Sequence, residues 1–279
     1  TWTDVTGLGE SATSLDPIGF VDHGFCPPKM AGACPTGVPG VAATPGPGRV
    51  FQSQLAGASS IMAFSSDDGR TWTPSQGSGQ PAGVDHQTVG GGPFNETAIP
   101  PPVHPFYAHQ VYYCSQDIAA GICARSDDGG LHFGPGVATW NLSQCGGLHG
   151  HVRAGPDGTV YLPNKSCSGM AGVAVSTDNG VTWTVRTVPG STSGDTDPSI
   201  GIATDGTIYL GYQNGDNHAH VAVSHDRGQT WSDTDAGALG GVQNAVFPEA
   251  IAGDPDRAAF GFLGTTTGGN YQDTANFKG

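Results

Sequence analysis

The sequence predicts an all-β fold of repeated four-stranded units, and three observations predict it. Glycine (46) and proline (21) are abundant among the 279 residues, while valine, isoleucine, tyrosine and tryptophan fall in short runs between them. An octapeptide of fixed pattern recurs four times at near-constant spacing. Beside it, a strand–turn–strand stretch repeats with the same period.

So much glycine and proline approaches the composition of disordered chains. Charged residues make up only 12%, however, and disordered chains lack such order-promoting runs. Many short strands joined by tight turns account for both facts.

The octapeptides are 65–72 (SSDDGRTW), 126–133 (SDDGGLHF), 176–183 (STDNGVTW) and 224–231 (SHDRGQTW). Each reads S-x-D-x-G-x-[TH]-[WF], and successive Asp positions lie 61, 50 and 48 residues apart. The pattern is that of a hairpin turn. Ser and Asp side chains accept hydrogen bonds from backbone N–H groups in the turn, and Gly permits a positive φ. The final aromatic ring then folds over the turn onto the sheet. These residues are structural.

The stretch 152–162 (VRAGPDGTVYL) aligns with 200–210 (IGIATDGTIYL) at the same offset of 48. Each unit therefore reads as strand, Asp-Gly turn, strand, loop and third strand (172–176, 221–224). The octapeptide then turns into a fourth strand (182–187, 230–233). A four-stranded unit recurring every ~50 residues is a propeller blade. Inner strands are expected near 18–21, 87–89, 151–154, 200–203 and 250–252. They give four complete blades and a fifth partial one, opening at Phe247. Thr1-Trp2-Thr3 reads as the tail of an octapeptide. The chain is thus expected to be a single β-propeller domain over 1–279, truncated at both ends, from a six- or seven-bladed ring. The alternative is that the first segment closes the last blade.

The four octapeptides resemble the Asp boxes of the sialidase/BNR-repeat β-propeller superfamily, and the resemblance covers nearly the whole chain. It implies radial blades, boxes at the periphery and a site where inner strands meet. It leaves activity open, because the family holds exo-sialidases, other glycoside hydrolases and non-catalytic propellers. Its sialidases use three arginines to hold a carboxylate, a Tyr nucleophile with a Glu partner, and an Asp acid/base. Here Ile99-Pro100 lacks the preceding Arg of the family's early motif, and there are seven arginines in all. Arg153 alone falls on an inner strand, so no arginine triad is visible.

A formal charge of −14 repels phosphate backbones and anionic membrane surfaces, which excludes nucleic acid as a partner. No apolar run approaches the ~20 residues of a membrane span, so no membrane insertion is expected. Carbohydrate or an extracellular protein is the expected partner. The six cysteines form no CxxC pair and read as disulfides Cys26–Cys34, Cys114–Cys123 and Cys145–Cys167. They point to a secreted protein, extracellular or at the cell surface. Asn95, Asn141 and Asn164 begin N-x-S/T sequons, which matter only in a eukaryotic secretory pathway.

Loops leading into inner strands share one face of a propeller with loops joining second to third strands. That face collects the candidate site. Glu249, Asp197, Asp85, Arg153 and Tyr271 are the candidate catalytic residues. Two carboxylates across a glycosidic bond supply the acid and the base or nucleophile, with Tyr271 or Tyr212 as an alternative nucleophile. His86, His149, His151, Asp195, Asn214 and His218 are the candidate substrate-binding residues. His149 and His151, two apart on a strand, would share a side and could take part in a metal site. No cofactor is required, and a structural calcium is compatible with the acidic loops. The leading expectation is a glycoside hydrolase; the alternative is a non-catalytic binding or assembly propeller.

Overall fold

The computed structural model describes residues 17–23, 48–56, 59–77, 85–100, 102, 107–117 and 119–276. The Cys26–Cys34 pairing and the Thr1-Trp2-Thr3 fragment lie outside them. The chain divides into two compact units, residues 1–138 with 177–181, and residues 139–176 with 182–279. Among the described residues there are only strands, turns and one 3-10 turn at Ala238–Gly240.

In the first unit, β1 (Ile18–Asp22), β2 (Arg49–Ala56), β3 (Ser59–Ser65) and β4 (Thr73–Pro74) form one sheet. A second sheet holds β5 (Asp85–Pro93), β6 (His109–Gln116), β7 (Gly121–Ser126) and β8 (Val137–Ala138). In the second unit, β9 (Cys145–His149) and β10 (Arg153–Ala154) precede β11 (Val160–Cys167), β12 (Met170–Ser176) and β13 (Thr184–Thr187). β14 (Ser199–Ile202), β15 (Ile208–Gln213), β16 (Ala219–Ser224) and β17 (Ser232–Asp235) follow, then the pair β18 (Asn244–Ala252) and β19 (Ala258–Thr265). Neighbouring strands are antiparallel and, β9 apart, follow chain order within each sheet, which is the meander of a propeller blade. The expected four blades and opening of a fifth are present.

One inner strand departs from expectation. The segment 151–154 is not continuous: β9 and β10 pair separately along one edge of β11, with His151 and Val152 in the break. Beside the break, Gly150 leaves room for the Pro198 carbonyl oxygen, with which a Cβ would collide. Its N–H donates to the Pro163 carbonyl of β11. His149 and His151 therefore do not share one strand face.

The octapeptides fold as their composition dictates. In the first, the Gly69 N–H donates to Ser65 Oγ at 2.8 Å. The backbone N–H and hydroxyl of Thr71 donate to the two oxygens of Asp67 at 2.8 and 2.7 Å. The second and fourth repeat this, with the His132 ring replacing the threonine hydroxyl in the second. Phe133 is buried in the core around Phe51, Val111 and Tyr113, and Trp231 covers the cores around Ile208 and Leu210.

A second device recurs with the boxes. The residue just before the box glycine has positive φ in Gly129, Asn179 and Arg227. Its carbonyl accepts from an arginine guanidinium each time: Arg49 to Gly129, Arg125 to Asn179 and Arg186 to Arg227. Two disulfides are formed as expected, Cys114–Cys123 between β6 and β7 and Cys145–Cys167 between β9 and β11.

Candidate functional site at the inner strands

The strand registers of the second unit align three inner strands. Arg153 opposite Tyr161, Gly201 opposite Tyr209 and Ile251 opposite Ala259 hold corresponding places in β10, β14 and β18. These strands line a groove of about 200 Å³ with Arg153, Ala154, Ile202, Gly201, Ile251 and Ala252 among its walls. Gly201 permits close approach, since a Cβ there would stand 2.8 Å from the Ile251 carbonyl carbon. Arg153 is the one charged residue of this lining.

Glu249 lies two residues before Ile251 and is exposed, while Pro248 before it and Ala250 after it are buried. It therefore shares the outward face of β18 with Ile251. Glu249 and Arg153 interact through their charges without forming a contact ion pair. Partial desolvation pushes the Glu249 carboxyl above its ordinary range, and Arg153 offsets part of that rise. Burial lowers the Arg153 guanidinium, with Glu249 opposing. Arg153 also donates to the Val152 carbonyl at 3.3 Å.

A rim stands beside these strands. Gln213 Oε1 accepts from the backbone N–H groups of Asp195 and Thr196 at 2.8 and 3.1 Å, while its Nε2 donates to the Ala245 carbonyl. Lys165 Nζ donates to the Asp195 carbonyl at 2.6 Å. Asn214 is buried and accepts from the N–H and hydroxyl of Thr192. The loop before β14 is thereby held rigid, leaving the Asp195 carboxylate exposed, where Tyr271 donates to it at 3.2 Å. Burial raises the Tyr271 phenol, with Asp195 adding to the rise, so it stays protonated at neutral pH. Gln213 and Lys165 were not among the sequence candidates; their alternation within strands gave no sign of reach into a neighbouring loop.

The remaining candidates are placed as follows. Asp197 sits two residues before β14. His149 is buried, its Nδ1 against the Gly150 carbonyl and its ring edge-on to Trp140. His151 is half-buried in the break between β9 and β10. His218 pairs with Asp235 at 2.8 Å and so belongs to the outer strand β17. There His220 pairs with Asp233 at 2.9 Å, and the buried Tyr212 hydroxyl donates to the same carboxylate. Asp85 and His86 begin β5 in the first unit. Asn95 and Asn164 are buried with engaged amides, whereas Asn141 is exposed. Among the described residues, no three His, Cys, Asp or Glu come together as a metal-holding group.

The BNR/Asp-box repeat model matches residues 222–233, which span the fourth octapeptide. The chain carries a BNR/Asp-box repeat at these residues. No curated protein matches the sequence. Solved structures similar to it include a Hadza microbial sialidase at 16% identity and TM-score 0.47, over 73% of this chain and 47% of that one. The NanB sialidase of Streptococcus pneumoniae is similar at 14% identity and TM-score 0.49, over 77% of this chain and 32% of that one. The six-bladed fucose lectin of Aleuria aurantia is similar at 13% identity and TM-score 0.49, over 78% of this chain and 67% of that one. This chain thus spans less than half of either sialidase.

Six of the seven arginines are engaged elsewhere. Three are engaged by Asp boxes; Arg227 pairs with Asp157, Arg70 with Asp68 and Arg257 with Asp254. Arg153 remains for the groove.

Proposed function

We propose that this chain is a secreted, sialidase-like glycoside hydrolase in architecture, acting on an extracellular glycan bound over β10, β14 and β18. The observation that carries the reading is Arg153, the one charged residue lining the groove, with the Glu249 carboxylate close enough to interact with it through charge but not in a contact pair. A glycosidic bond breaks when its leaving oxygen is protonated as positive charge develops on the sugar. Glu249, with its raised carboxyl, is the proton donor. Asp197, at the head of the neighbouring inner strand, is the candidate for the second carboxylate. Arg153 donates hydrogen bonds to sugar hydroxyls and orients the ring. Tyr271 and Asp195 form the outer edge, Tyr271 acting as a hydrogen-bond donor. The two disulfides support an oxidising compartment.

The binding-only reading is favoured by one observation: the groove is walled largely by alanine, glycine and isoleucine. Incubation with a panel of oligosaccharides, with product detection by mass spectrometry, separates the two. Hydrolysis by the native chain that is lost in Glu249→Gln, with binding kept, is expected. Binding without turnover establishes the lectin-like reading, and neither binding nor turnover overturns both.

A further inference from the structure

Gln213 closes β15 and is 2% exposed, a depth at which an amide is costly unless its polar atoms find partners. Its partners come from outside its own hairpin. Oε1 accepts the backbone N–H groups of Asp195 and Thr196, and Nε2 donates at 2.7 Å to the carbonyl of Ala245 in β18. One side chain thus joins the end of β15, the loop entering β14 and the head of β18. The next residues tighten the joint: Asn214 accepts from Thr192, and the Gly215 N–H donates to the Thr192 hydroxyl at 3.1 Å. Gly194 has no room for a Cβ, which would stand 2.0 Å from the Gln213 carbonyl oxygen.

Lys165 holds the corresponding place one blade earlier. Tyr161 and Tyr209 face Val175 and Val223 in the same register, and Lys165 and Gln213 each follow four residues later. The two side chains converge on a single residue. Lys165 Nζ donates to the Asp195 carbonyl, and Gln213 takes the Asp195 N–H. The Lys165 stem lies across Gly147, where a Cβ would stand 2.7 Å from Cε. Loop main chain at a surface is ordinarily satisfied by water or by its own turn. Here both main-chain polar groups of an exposed aspartate are gripped by side chains of two successive blades. The carboxylate, beside Tyr271, is what the loop presents outward.

We propose that Gln213 and Lys165 are positioning residues that hold Asp195 as a preset acceptor for sugar hydroxyls, an assignment that rests on the carbohydrate reading above. Ordering a loop on binding costs free energy, and a loop already ordered avoids that cost. A carboxylate offers two oxygens, which accept from neighbouring hydroxyls of a sugar ring when its main chain is fixed. Gln213 and Lys165 act through Asp195 rather than on the sugar.

The test is retention on an array of immobilised oligosaccharides, together with amide hydrogen exchange followed by NMR. It compares the whole native chain with Asp195→Ala, Gln213→Ala, Lys165→Met and the Asp195→Ala/Gln213→Ala double variant. Asp195→Ala should weaken retention about tenfold, the loss of one hydrogen bond to a charged group. Gln213→Ala should weaken it as much and speed exchange at the Asp195 and Thr196 amides about tenfold. Lys165→Met, which keeps an apolar stem over Gly147, should weaken retention at an unchanged thermal midpoint. The double variant should bind no worse than Asp195→Ala, because residues acting through one group are not additive. Additive losses overturn the positioning role and keep the carbohydrate reading, as does full retention in Gln213→Ala or Lys165→Met beside loss in Asp195→Ala. If Gln213→Ala does not fold, Lys165→Met takes its place in the same cycle with the same deciding outcomes. Full retention in Asp195→Ala overturns the assignment by removing its acceptor. No retention by the native chain overturns the carbohydrate reading and the assignment together.

Discussion

Arg125 reaches with its guanidinium to the backbone carbonyl of Asn179, in the turn of the third octapeptide. Asp127 holds it in place through a two-pronged pair, at 2.6 Å from Nε and 2.9 Å from Nη2. The side chain is thus fixed at both ends of its fork, and the same carbonyl position is served by Arg49 and Arg186 in other boxes.

Arg125→Ala should destabilise the fold by about 1.5–3 kcal/mol, the range for a hydrogen bond to a charged group. Arg125→Lys should restore less than half of it, because an ammonium cannot reproduce the planar fork. Urea titration followed by tryptophan fluorescence reads both values. A loss in Arg125→Ala no larger than in Arg257→Ala, at an exposed surface arginine, would mean the contact contributes nothing.

The boxes make stability depend on acid. The Thr230 hydroxyl, then its backbone N–H, pull the Asp226 carboxyl down from 3.8 to about 2. Hydrogen bonds from Thr71 and His132 lower Asp67 and Asp128 likewise, in Asp128 against desolvation. A depressed folded value means the contribution is present above the unfolded value, near 3.8, and is lost as pH falls through the folded one, near 2 for Asp226. Thr230→Val should bring Asp226 back toward its ordinary value and start acid unfolding at higher pH. Circular dichroism between pH 5 and pH 1.5 measures the shift.

His220 acts in the opposite sense. Burial lowers it, but the Asp233 hydrogen bond and the charges of Asp233, Asp216 and Asp235 more than compensate. His218 and Tyr212 complete its surroundings. With the folded value raised, its contribution is full below about 6.5 and is lost as pH rises through the folded value. Asp233→Asn should lower the His220 titration midpoint in proton NMR and remove this pH dependence. An unmoved midpoint would show that Asp233 does not hold the imidazolium.

For Glu249 the sign concerns rate. Desolvation raises the carboxyl, so the proton-donating form persists to higher pH than an ordinary glutamate allows. Hydrolysis should fall as pH rises through that value. Arg153→Ala removes the charge that moderates the rise, so the falling limb of kcat/KM should move to higher pH. A limb that stays in place would show that another group donates the proton.

What the sequence discloses is what its local chemistry determines. Ser65, Asp67, Gly69 and Thr71 satisfy one another within a single turn, so that hairpin can be read without coordinates. The blade order follows from repeating it. The close approach at Gly150 could not be read, because it involves the Pro198 carbonyl from a distant segment. The arginine contacts were equally hidden, since donor and acceptor lie 80, 54 and 41 residues apart. Among the site candidates, the place of Arg153 on an inner strand follows from the repeat offset of 48 alone. His218 and Asn214 share the loop end of a hairpin with Gln213, yet hydrogen bonding draws them to β17 and to Thr192. Polar residue type by itself carried no such direction.

Both described disulfides join strands of one sheet, spanning 9 and 22 residues. Apart from the main chain, no described covalent link runs from the sheet of β5–β8 to that of β9–β13. A single proteolytic nick between Phe133 and Gln144 should therefore yield two fragments that separate on a denaturing gel without reductant. Their co-migration under native conditions would then measure non-covalent cohesion alone.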